Sequence, residues 1–283
     1  MPNQLLKERI SRIKSAVALK EHDRVPIMGN LGFWPVKYQK KYTMQEAFYN
    51  INVFKESYEY ALSRWNEWDA LAGSVQANGP LLNALGSKRY IIPGMEISAN
   101  SDYQHPDHSL MTADEYDQFI ENPVKFQYDV ILPRICKQLK PGSLYTSLKA
   151  VAKALHYSQK LREDSKKCWA EWEEKYSIPL LARTIFLTPI DWIADSLRGF
   201  NQGLIDVKIR PDKIKAAGDA LLPYILNSVL QNVPAGQDFP FLYNPQHVSP
   251  FISPKDYEKV YWPSFKKMVD VMTERGHIVW TVF

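Results

Sequence analysis

Apolar positions along the chain follow two patterns. Short apolar runs that suit buried strands occupy residues 24–30, 69–75, 178–187, 239–243 and 277–283, with a weaker one at 89–92. Between them apolar residues recur at helical spacing. Leu5, Leu6, Ile10, Ile13 and Val17 make one stripe among lysines and arginines, and Phe48, Ile51, Phe54, Tyr58 and Leu62 make another within residues 43–68. Ile214, Ala217, Leu221, Ile225 and Val229 make a third. Helical signal also dominates residues 112–176, where the Lys- and Glu-rich part at 160–175 carries Trp169 and Trp172, the pattern of a solvent-facing helix anchored by aromatic rings. Short strands alternating with long helices predict a parallel α/β domain.

Local signals fix where elements start and stop. In Thr188-Pro-Ile-Asp191 a hydroxyl stands at the N-cap, a proline at the first helical position and a carboxylate in the first turn, so a strand empties directly into a helix. Ser253-Pro-Lys-Asp256 repeats that chemistry, and Thr112-Ala-Asp-Glu115 has the spacing of a capping box, with Asn122-Pro123 as the stop. Gly199 and Gly203 are expected to bracket the end of the helix opened by Thr188, Pro211 to open the next, and Gly276 to close the last. Residues 31–35 read as a loop.

Composition narrows the function classes. A formal charge of +4 spread over 283 residues offers no basic stripe, which argues against a nucleic-acid partner. No apolar run approaches membrane-spanning length, and Glu8 among the basic residues of the N-terminus is unlike a secretory or transit signal, so the expectation is a cytoplasmic protein with no membrane partner. The basic face of the first helix reads as a solvated face. Two cysteines, Cys136 and Cys168, have no second Cys or His at ligand spacing, which argues against a disulfide scaffold or zinc knuckle. His105 and His108 stand three apart, but Pro106 between them prevents a regular helical presentation to a metal.

A family resemblance lies in three blocks. Asp191 with Asp195-Ser-Leu-Arg-Gly-Phe200, then Asp206 and Arg210-Pro-Asp212, resembles the middle of the uroporphyrinogen decarboxylase superfamily, and especially its corrinoid-dependent methyltransferase branch. The run from Phe241 through Tyr243, Asn244, His247 and Ser253, leading into Tyr257 and Tyr261-Trp-Pro263, is similar to the next strand and helix of that family, and Asp23-Arg-Val-Pro-Ile27 is a third block. The resemblance implies a (β/α)8 TIM barrel of the uroporphyrinogen decarboxylase type, spanning residues 1–283 as a single domain. About five core strands are legible where a closed barrel has eight. The expectation is therefore a barrel lacking its last strands and helices, with residues 278–283 at its edge, completed by self-association or by a complementary C-terminal segment.

In barrels of this kind chemistry sits at the C-terminal ends of the strands, which nominates Asn30, Trp34, Gln76, Asn78, Thr188 and Asn244 for substrate binding and His247 and Tyr243 for catalysis. His247, flanked by Gln246 and Ser249, suits a proton carrier, a hydrogen-bond donor or a metal ligand; a histidine satisfied within its own polar loop is the competing reading. Asp191 and Asp195 read as first-turn carboxylates stabilising a helix N-terminus, and Arg198 as the internal partner of Asp195 or Asp206. By resemblance, the protein moves a methyl group between a small methylated donor, as in O-demethylation, and a corrinoid carried by a partner protein. Zinc, which activates a thiol in many relatives, is expected only if a C-terminal extension supplies the family's cysteine ligands. Uroporphyrinogen decarboxylase itself is the alternative, but residues 29–41 carry lysines where that enzyme's arginines bind its substrate's carboxylates, and lysine lacks the bidentate fork. An inactive fragment that only binds a partner is the third possibility.

Overall fold

A computed structural model describes residues 4–73, 75–233 and 241–283 and shows a mixed α/β chain in which helices dominate and the named strands pair in parallel. It divides into two compact units, one running to His105 and including Lys137–Leu181, the other formed by Pro106–Cys136 and Ala182–Phe283.

In the first unit β1 (Met28–Asn30) lies parallel to β2 (Ala70–Ala72), in register from Met28↔Ala70 to Asn30↔Ala72, and Leu180 adds one parallel bridge to Leu71. Both strands are shorter than the apolar runs that announced them. Upstream of β1 the Ile27 amide is already engaged by Asp69 Oδ2 at 2.8 Å and Pro26 has no amide to give, so the ladder begins at Met28. Beyond β2, Gly73 turns the chain at φ +116, and Ser74 of the predicted run lies outside the described residues. Residues 89–92 form no strand, since Ile91 makes only an isolated bridge with Gln104. Residues 31–35 are not simply a loop either. Trp34–Gln39 is a helix with Pro35 in its first turn, where a missing amide costs nothing.

Asn50 divides the predicted helix at 43–68 in two. It ends Met44–Tyr49 and caps Ile51–Leu62 by accepting from the Asn52 amide at 3.0 Å. Phe48, Phe54, Tyr58 and Leu62 of the predicted stripe are buried with Phe33 and Trp172, and the Tyr58 and Trp172 rings stack 4.8 Å apart. The basic face of the first helix, Gln4–Val17, is only partly solvated. Arg9 is 2% exposed and donates to the carbonyls of Tyr176 and Ser177, both at 2.8 Å, while Arg12 reaches the fully buried Asp69. Arg24 donates to the same carboxylate at 2.7 Å. Arg9 and Arg12 dock the helix where periodicity alone assigned its basic face to water.

The second unit carries a parallel sheet in the order β3 (Ala182–Ile185), β4 (Phe241–Pro245) and β5 (Ile278–Val282), with Phe241↔Ile278 through Pro245↔Val282 in register. Residues 239 and 240 of the predicted fourth run lie outside the described residues. Phe186, Leu222, Leu242, Met268 and Met272 pack together between the sheet and the helices Pro211–Asn232 and Trp262–Glu274. Thr188 and Ser253 cap their helices as predicted, accepting from the amides of Asp191 and Asp256 at 3.2 and 3.1 Å. Gly199 takes a left-handed φ of +80 between helices, but Gly203 is not a terminator. It lies inside the helix Phe200–Ile209, where a Cβ would come within 2.7 Å of the Ala194 Cβ, so glycine there permits close backbone approach.

Among the described residues no helix is long and apolar enough to cross a membrane.

Candidate functional site

Asp191 is the hub of the site. It stands in the first turn of Pro189–Ile193, just past β3, and is fully buried. Four groups donate to its carboxylate. The backbone amides of His247 and Val248 reach Oδ1 at 3.1 and 2.8 Å, and the hydroxyls of Thr188 and Tyr261 reach Oδ2 at 2.8 and 2.5 Å. Burial pushes the Asp191 carboxyl upward, and the hydrogen bonds from Tyr261, Val248 and Thr188 oppose that shift. Burial also raises the Tyr261 phenol, reinforced by the adjacent carboxylate, so Tyr261 stays a donor. A buried carboxylate saturated by donors from three segments fixes the turn after β4 to the helix after β3.

That turn presents His247. Its Nδ1 donates to Asp195 Oδ2 at 2.6 Å, and the imidazole is 45% exposed. Asp195 is one helical turn beyond Asp191, so both carboxylates face the same loop. The hydrogen bond to Asp195 raises the His247 pKa, with partial desolvation acting against it and the charges of Asp195 and Asp191 adding to it. A carboxylate on Nδ1 holds the ring with Nε2 as its working atom, the tautomer and orientation logic of a histidine general acid or base. Asp195 lies in a widened helical turn, Ala194–Arg198, and Tyr261 in another, Tyr257–Tyr261. Such turns re-aim side chains that a regular helix would place elsewhere. Around the site, Tyr257 stacks on Tyr261 and Trp262, with Phe251 and Trp262 exposed.

The predicted site residues fall into distinct environments. In the second unit, Tyr243 is half-buried on β4 with its ring 4.9 Å from Trp280. Asn244 is fully buried, donating to the Phe186 carbonyl at 3.0 Å, and Thr188 is fully buried with its hydroxyl engaged by Asp191. In the first unit, Asn30 at the end of β1 is exposed and Trp34 stacks on Tyr38 at 5.1 Å. Gln76 is half-buried, and among the described residues Asn78 Oδ1 is buried without a hydrogen-bond partner. Arg198 pairs with Asp206, its Nε 2.5 Å from Oδ2, where Tyr116 also donates at 2.9 Å. This is the predicted internal pair, and it leaves Asp195 to His247.

Asp191, Asp195 and Tyr261 were not among the predicted site residues. Two signals were present: the aspartates stand at i and i+4, on one helix face, and the Thr-Pro-x-Asp cap recurs as Ser-Pro-x-Asp beside the second block. Among the described residues no three His, Cys, Asp or Glu side chains gather to hold a metal ion. Cys136 and Cys168 are buried thiols, and burial raises Cys168 to about 11. In comparisons with known proteins, no protein-family model, no curated protein and no solved structure matches the chain.

Proposed function

We propose that the chain is a methyltransferase of the uroporphyrinogen decarboxylase type, built on that family's barrel, and that His247 is its proton carrier. One observation carries the reading: a half-exposed imidazole held through Nδ1 by Asp195 at the C-terminal end of a parallel strand. Demethylating a small R–X–CH3 donor requires the X–CH3 bond to break with its electron pair left on X, and X must then take a proton. Protonated His247 supplies that proton from Nε2, leaving R–XH and a neutral ring that regains a proton from solvent. Asp195 stabilises the cationic ring, and Asp191 holds the backbone on which the ring turns. A corrinoid carried by a partner protein would supply the nucleophile for the methyl group. The exposed rings of Phe251 and Trp262 offer aromatic area suited to the edge of a flat macrocycle. Among the described residues no set of His, Cys, Asp or Glu side chains fits zinc.

The test is to incubate the purified full chain with reduced cobalamin and a panel of 13C-methyl ethers, thioethers and amines, following the methyl carbon by NMR. Transfer from at least one donor class, reduced by roughly 10²–10⁴-fold in His247→Gln, is the expected result. No transfer from any class, or full activity in the variant, would reject the proposal.

A further inference from the structure

In the first unit, the turn from the helix Trp34–Gln39 into Met44–Tyr49 borders a cavity of about 250 Å³. At about 30 Å³ per water, that is room for about eight waters or for one ring with its substituents. The floor is apolar, with Val36 1% exposed and Met44 2%. Tyr42 forms a wall, its ring held by the hydrogen bond its hydroxyl donates to Glu56 Oε2 at 2.6 Å. Three exposed polar residues, Lys37, Lys40 and Asn100, complete the lining, and the bond from the Gln45 amide to the Ala99 carbonyl at 3.0 Å holds the Asn100 segment in place. We propose that this cavity binds a small organic anion whose apolar body is about one ring in size.

Two observations select an anion. The first is charge. Glu56, the acid bonded to Tyr42, is engaged by Lys41 at 2.5 Å, no carboxylate lines the cavity, and among the described residues Lys37 and Lys40 form no ion pair. The second is the backbone. A lysine in the last turn of a helix, as Lys37 is, suits the helix dipole and needs no ligand. Lys40 does not fit that account, because it caps the helix at φ +58 and ψ 18, the left-handed position that glycine takes without steric cost. The capping bond, at 3.2 Å to the Val36 carbonyl, comes from the Lys40 backbone amide, which glycine would supply equally, so the cap does not need the lysine side chain. A residue held in a costly conformation points to a use for its side chain, and this one lines the cavity. An anionic group between Lys37 and Lys40, with the Asn100 amide as a further donor, leaves the apolar body over Val36 and Met44. There the Met44 thioether and the Tyr42 ring favour an aromatic body.

Titration of the 15N-labelled full chain with sodium benzoate, followed by NMR, tests this. The amides of residues 36–44 and of Asn100 are expected to shift and to saturate at millimolar benzoate, an ordinary affinity for so small a ligand. Benzyl alcohol, which lacks the charge, and inorganic phosphate, which lacks the ring, should each bind at least about threefold more weakly. Lys37→Gln and Lys40→Gly should each weaken benzoate binding about threefold, and together about tenfold. Lys40→Gly should melt no lower than the parent, since glycine suits the left-handed position, so its weaker binding is not lost folding. No saturable shift with benzoate overturns the proposal, as does equal binding of benzyl alcohol or of inorganic phosphate. Benzoate binding that the double substitution leaves unchanged overturns it equally.

Discussion

Asp191 and His247 divide the work of the site between burial and exposure. Replacing Asp191 by alanine leaves two amides and two hydroxyls without their acceptor, and at about 1–3 kcal/mol for each group that water cannot reach, a loss of about 3 kcal/mol or more is expected in urea denaturation. Tyr261→Phe removes a single donor and should cost about 1–2 kcal/mol in the same measurement. For His247 the sign follows from a folded pKa raised by Asp195. The pair stabilises the fold in full below the ordinary imidazole range, and that contribution is lost as pH rises through the raised value. Melting temperatures of the parent and His247→Gln should therefore converge as pH increases. A gap that widens with pH would assign the opposite sign to the interaction.

At the scale of elements, what was legible was local. Thr188 and Ser253 announce their caps within four residues, and the stripe at Phe48, Phe54, Tyr58 and Leu62 announces a core face. Contacts distant along the chain were not legible. Gly203 looked like a helix end because the reason for a glycine there is Ala194 on a neighbouring turn. Arg9 and Arg12 looked solvated because their acceptors lie far along the chain. His247 was found by its position after a strand, whereas its partner Asp195 is 52 residues away and shows only as a helix carboxylate. Two mutations test the elements. Gly203→Ala gains helix propensity of about 1 kcal/mol but forces its Cβ against Ala194, and a net loss of about 1–2 kcal/mol is expected by thermal melting, relieved by Ala194→Gly. Asp69→Ala removes the acceptor of the Ile27 amide and of the half-exposed Arg24 while leaving Arg12 its pairing with Asp23, and a loss of about 2 kcal/mol is expected once solvent screening of Arg24 is allowed for.

Across the whole molecule, the chain forms two compact units, and the candidate chemistry is concentrated in the second. Burial keeps Cys168 protonated at neutral pH, so alkylation of the native chain there should be slow and should accelerate on unfolding, a contrast readable by mass spectrometry. The reading of function rests on His247 being an oriented acid and not a loop histidine, and that claim is open to direct measurement. In the 15N-labelled full chain, long-range 1H–15N NMR across a pH series reports both the ring tautomer and the pKa of His247, assigned through His247→Gln. The expected result is a pKa above that of an unperturbed histidine, an Nδ1–H tautomer in the neutral form, and a fall in pKa in Asp195→Asn. A ring that titrates like free histidine, with its proton on Nε2 and no response to Asp195→Asn, would contradict the account.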